Sequence, residues 1–155
     1  MRKIFAVVGM GWVALAHPAA AQDMLPGQIL RWQDADMVAL GAGVYEAECA
    51  ACHGAELEGQ PDWQVRLSNG RLPAPPHDET GHTWHHPDRL LLAITALGTE
   101  AIVGGGYRSD MGGFGERLSA DELVAVLSYI KSTWPDEIVE IHNEVNARDA
   151  MDRDR

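Results

Sequence analysis

A chain of 155 residues with a formal net charge of −11 and 46% hydrophobic residues is long enough for one compact domain and short for two. Its acidity repels phosphate backbones, which excludes nucleic acid as a partner and makes anionic membrane surfaces poor ones. Loss of Arg2 and Lys3 with the leader described next takes the charge from −11 to −13 and leaves Lys131 as the one lysine, so a docking surface cannot be a ring of lysines.

Residues 1–21 read as a cleavable secretory signal. Met1-Arg2-Lys3 supplies the basic end, an uncharged run begins at Ile4, and Ala19-Ala20-Ala21 offers small residues at a cut placed after Ala21. The competing reading is an uncleaved anchor, because Ile4 to Gln22 carries no formal charge over 19 residues, near the lower limit for a bilayer span. Gly9, Gly11, His17 and Pro18 weigh against the anchor. Export places the mature chain in an oxidising compartment, the bacterial periplasm or its equivalent, and no later apolar run is long enough to cross a membrane. Residues 22–36 then form a lead-in, 37–134 the domain, and 135–155 a C-terminal extension.

Met37 to Glu48 has no proline and places Met37, Leu40, Val44 and Ala47 at a helical period. Gly41 and Gly43 cost helix propensity there, which predicts close approach of another element. Directly after this helix comes Cys49-Ala50-Ala51-Cys52-His53. Two cysteines in an exported chain ordinarily suggest a disulfide, but this spacing followed by histidine is that of covalent haem attachment. Two thiols three residues apart can bond the vinyl groups along one side of a porphyrin, and the next residue presents a neutral imidazole to the iron. A thioredoxin-like site needs a preceding strand, and structural zinc usually needs a second pair of ligands; neither is present.

The stretch Leu72-Pro73-Ala74-Pro75-Pro76 reads as a stiff extended loop. His77, His82, His85 and His86 follow within ten residues. They form either a polar loop over a haem edge or a second metal site, and one of them could compete for the iron. A middle helix is expected from Pro87 to about Leu97, with Leu91, Ile94 and Leu97 in register and Gly98 as terminator. Met111 lies in a glycine-rich stretch running from Gly104 to Gly115. Taken alone it reads as a gap-filling side chain or as a soft iron ligand. Ser119 with Glu122 forms a capping box that opens a closing helix with Leu123, Val126, Leu127 and Ile130 as its apolar stripe, stopped before Pro135. Ile138, Ile141, His142 and Val145 predict a short amphipathic helix, and from Arg148 the charged tail reads as disordered.

These motifs together resemble the small monohaem c-type cytochromes over about residues 38 to 134. The resemblance is carried by Gly41-x-x-x-Tyr45, Cys49-x-x-Cys52-His53-Gly54, Met111 in its glycine-rich loop and the closing helix ending Val126-Leu127-Ser128-Tyr129-Ile130. It implies an all-α fold of three to five helices with long loops wrapped around one covalent haem c, and an apoprotein that is largely unfolded. It also implies that first and last helices cross at Gly41 and Tyr129, that His53 and Met111 are the axial ligands, and that a proline carbonyl, Pro75 or Pro76, orients His53. Met24, Met37 and Met151 lie at positions the resemblance does not favour. Many relatives follow the methionine with proline, whereas Gly112 and Gly113 follow Met111, which predicts a less preorganised loop.

The expected function is that of a periplasmic electron carrier with six-coordinate iron, not an enzyme, exchanging electrons with a redox partner that is basic or meets an uncharged patch. No membrane insertion is expected after signal cleavage. The alternatives are a haem enzyme or gas sensor with a labile sixth ligand, and a metal-handling protein using the histidine loop.

Overall fold

The computed structural model describes residues 24–155, so the leader, its cut after Ala21 and the anchor alternative lie outside the described residues. Among the described residues the regular structure is helical, with no strand: α1 (Ala35–Glu48), α2 (Ala50–His53), a 3-10 turn (Thr83–His85), α3 (Asp88–Leu97), α4 (Thr99–Val103), α5 (Ala120–Ser132) and α6 (Asp136–Arg153). Six α-helices exceed the expected three to five because α2 and α4 are little more than single turns. The class is all-α, as the sequence predicts.

Asp34 starts α1 two residues earlier than the apolar period suggests. Its carboxylate accepts from the Asp36 and Met37 amides at 3.1 Å each, covering donors that an open helix end would leave unpaired. The capping box of α5 is present in both directions, from Ser119 to the Glu122 amide and from Glu122 back to Ser119. The two helices cross where expected: a Cβ on Gly41 would overlap the Ala125 carbonyl and come within 2.8 Å of the Tyr129 Cβ. Gly43, by contrast, has open space beside it, so the close approach is confined to Gly41. Val44 and Tyr45 from α1, Leu91 from α3, and Val126, Leu127 and Ile130 from α5 share one core with Leu30, Leu57 and Trp134.

The extension differs most from its expectation. The predicted short helix and disordered tail are one helix reaching Arg153, with Arg148–Glu144 and Arg153–Asp149 pairs one turn apart and Arg89 of α3 reaching Asp149. Its fully buried residues are polar, His142 and Asn146, while Ile138 and Val139 pack on the core only partly covered, as are Ile141 and Val145. The buried pair meets Asp88, which is 0% exposed. One Asp88 oxygen accepts from the Ile29 and Leu30 amides at 2.6 and 2.8 Å. The other accepts from Asn146 Nδ2 at 2.9 Å, and Asn146 Oδ1 takes the Asp88 amide at 2.7 Å. Lead-in, α3 and α6 are thus joined at one carboxylate. Lys131 is also 0% exposed; it donates to Asn143 Oδ1 at 2.7 Å and lies over the Trp32 ring.

His142 Nε2 sits 2.9 Å from the His86 carbonyl, to which it donates, and 3.4 Å from Asp88 Oδ1. Burial first, then the Lys131 ammonium, pushes its pKa down to about 4, against the opposing pull of Asp88. An unfolded-chain histidine takes its proton near pH 6.5, so below that value the unfolded state binds more protons than the native one. Stability is therefore expected to fall on acidification from pH 6.5 towards 4, by roughly 1–2 kcal/mol between pH 7 and 5 for this group. Urea unfolding of the wild type and His142→Asn at both pH values checks this: the variant's loss should be smaller, and equal losses would exclude His142 as the source.

Candidate functional site

The Cys49–His53 turn is built by the chain leaving α1. The Cys49 amide still bonds to the Tyr45 carbonyl at 2.9 Å, and the Cys49 carbonyl accepts from His53 N at 2.9 Å, so residues 49–53 form one helical turn at the end of α1. Cys49 and Cys52, three residues apart, share a face of that turn. Cys49 is half-buried, Cys52 is exposed, and the two are not joined to each other. Burial, aided by the Glu48 charge, pushes the Cys49 thiol up to about 11.

His53 is 6% exposed, and its Nδ1 donates to the Pro75 carbonyl at 2.8 Å. A carbonyl can only accept, so the ring's free lone pair is on Nε2. Burial lowers the His53 pKa, with the Pro75 bond opposing it, and keeps the ring neutral as a metal ligand must be. Of the two prolines singled out in the sequence, Pro75 makes the contact. The loop that delivers it is tightly held: Gly59 N bonds to the His53 carbonyl at 2.7 Å, Gln60 N to Ala74 O at 2.9 Å, and Tyr45 OH to Gly54 O at 3.0 Å.

Leu57 adopts φ +65°, a left-handed conformation that costs a leucine strain. That turn puts its side chain into the core and its carbonyl 2.7 Å from the His77 amide. The His77 ring stacks on His53, with centroids 4.0 Å apart and planes 23° from parallel.

Met111 lies on a separate wall. Its amide bonds to Ser109 Oγ at 3.1 Å, its carbonyl accepts from Thr99 N at 3.3 Å, and Gly112 bridges to Gly98. Phe114 N and Gly115 N continue onto the Thr95 and Ala96 carbonyls at 2.9 Å, satisfying the end of α3. Met111 lines a concavity of about 360 Å³ with Leu97, Gly98 and Ala101; a neighbouring one of about 440 Å³ is lined by Val103, Tyr107, Arg66 and Arg108. Neither includes the Cys49–His53 turn. An ion pair between Arg71 and Asp110 ties the loop before Pro75 to the loop carrying Met111.

The sequence profile of the family described as Cytochrome c matches residues 38–134, more than half of the chain. The chain belongs to the cytochrome c family. No curated protein and no solved structure matches it. Membership brings covalently bound haem c and electron transfer through it, and the residues present in this cytochrome fit the group. Cys49 and Cys52 lie one helical turn apart, an imidazole whose Nε2 lone pair is available follows them, and the apolar Leu97 and Val103 are 62% and 56% exposed beside the Met111 loop. Apolar surface of that kind is what a porphyrin face would cover.

The loop histidines have aromatic or polar neighbours: His77 stacks on His53 and meets Thr83 Oγ1, His82 stacks on Trp63 at 5.2 Å, and His85 stacks on Trp84 at 3.7 Å. Among the described residues no three His, Cys, Asp or Glu side chains gather as a metal site. No helix among them is long and apolar enough to cross a membrane. Sequence reading missed His77 as a neighbour of His53; the available signal was its place two residues after the carbonyl that holds that ring.

Proposed function

We propose that this cytochrome c is an exported carrier of single electrons, working in the periplasm, with His53 and Met111 as the two axial ligands of a six-coordinate iron. Haem c supplies one-electron exchange between ferric and ferrous iron. Everything else falls to the chain. Cys49 and Cys52 hold the group covalently, so it is not lost between partners. Pro75 fixes the His53 tautomer, and the end of α3 braces the Met111 loop. A carrier works best when both oxidation states keep the same ligands, because little structure then reorganises.

The observation that carries this reading is the bracing of residues 111–115 on Thr95, Ala96, Gly98 and Thr99. A soft thioether on a rigid loop favours ferrous iron and a high potential, as a carrier in an oxidising compartment needs. Lys131 is buried, so the described surface carries no lysine. The redox partner is read as basic, or as meeting an uncharged patch. Nucleic acid is not a partner, the chain is not an enzyme, and it is not membrane-inserted once the leader is removed.

The test is the protein purified from cells with a cytochrome c maturation system. Its intact mass should equal that of a chain beginning at Gln22 plus one haem, and its spectra should be low-spin in both oxidation states. High-spin ferrous iron at neutral pH would contradict six-coordination, and retention of Arg2 and Lys3 in a membrane fraction would contradict export.

A further inference from the structure

We propose that His77 is a positioning residue for the axial imidazole, fixing the plane of the His53 ring by stacking against its face. The inference rests on the reading of His53 as an iron ligand and goes beyond it by assigning what sets that ligand's orientation. An imidazole bound through Nε2 can still turn about its bond to a metal. The hydrogen bond from Nδ1 to Pro75 O restrains that turn at one point on the ring edge, and carbonyl acceptors tolerate a broad range of directions. A flat partner at 4.0 Å and 23° constrains the whole plane.

His77 is itself held at three points. Its Nδ1 is 2.8 Å from the hydroxyl of Thr83, which is buried in the 3-10 turn. Its amide bonds to the Leu57 carbonyl at 2.7 Å, and its carbonyl accepts from Trp134 Nε1 at 2.7 Å. Behind Thr83, α6 closes the loop through His142 on the His86 carbonyl. Filling the space beside His53 needs only apolar volume, and an aliphatic side chain would do so without the desolvation cost of an imidazole. A ring locked by a hydrogen bond adds what an aliphatic group lacks, a defined plane.

The readout is the paramagnetic proton NMR spectrum of the ferric holoprotein, in which the haem-methyl resonances report the orientation of the axial imidazole. His77→Ala should reorder or respace those resonances while haem and His53 stay bound. His77→Phe, which restores a flat ring, should move the pattern back towards wild type. Thr83→Val, which leaves the ring but frees it, should shift the pattern in the same direction as His77→Ala and by less. A His77→Ala protein that melts lower but whose haem-methyl pattern superimposes on wild type would overturn the proposal, leaving His77 as ordinary packing. A phenylalanine variant no closer to wild type than alanine would overturn the stacking role. If His77→Ala yields no holoprotein, an unchanged pattern in Thr83→Val overturns it. A wild-type spectrum without an iron-bound imidazole would remove the ligand reading itself, and the proposal with it.

Discussion

If Met111 is the sixth ligand as proposed, Met111→Ala is expected to open the iron to solvent, with the reduction potential falling on the order of 0.1–0.3 V, within the ~0.8 V over which axial ligands tune haem. In the proposed ligand pair the thioether is the soft member and would stabilise ferrous iron, so its loss would open the sixth position and favour the ferric state. The loop should survive the change. Its fixed points are backbone bonds, from Thr99 N to the Met111 carbonyl and from Gly115 N to Ala96 O, and alanine keeps all of them. Melting should therefore shift far less than the potential does. Equilibrium redox titration with the absorption spectrum followed in parallel checks both; an unchanged potential and spin state would place the sixth ligand elsewhere.

Asp88→Ala should be the most damaging substitution away from the haem site, costing about 3–5 kcal/mol, the upper end for a single substitution, because several buried donors lose their shared acceptor at once. The carboxylate receives three hydrogen bonds and touches His142; without it the buried Leu30 amide and Asn146 Nδ2 would lose their acceptor. Asp88→Asn keeps the shape but turns one acceptor oxygen into a donor, which must face either the Ile29 and Leu30 amides or the Asn146 amide, so an intermediate loss is expected. Chemical denaturation of the holoprotein reads both. A double-mutant cycle of Asp88→Ala with Asn146→Ala should give strongly non-additive losses, since the two share bonds in both directions. Losses that simply add would mean that α6 is not docked through this pair.

What was legible in the sequence follows from how local each signal is. Cys49-x-x-Cys52-His53 is five consecutive residues, the Ser119–Glu122 box closes within one turn, and Gly41 stands out because a glycine inside a helix is costly without a neighbour. Asp88 and Asn146 lie 58 residues apart, and a buried polar pair has no periodic signature. To a pattern of apolar spacing they look like surface residues, which is why the extension appeared to be a short helix with a loose tail.

The Gly112-Gly113 pair has two roles. Gly112 has open space beside it, whereas a Cβ on Gly113 would sit 2.6 Å from the Ala96 carbonyl and 2.7 Å from the Leu97 carbonyl carbon. Glycine there permits the close approach that lets the loop dock on α3. His77 was read only as one of a cluster, because the stack on His53 depends on a left-handed turn at Leu57 that nothing in the local sequence announces.

Carbon monoxide binding to the unmodified ferrous protein at neutral pH tests the carrier reading most directly, since a carrier keeps its sixth position filled and an enzyme or sensor opens it. With Met111 on the iron and its loop braced by α3, binding should be slow and weak, and Met111→Ala should make it fast and tight. Rapid, tight binding by the wild type would contradict the account.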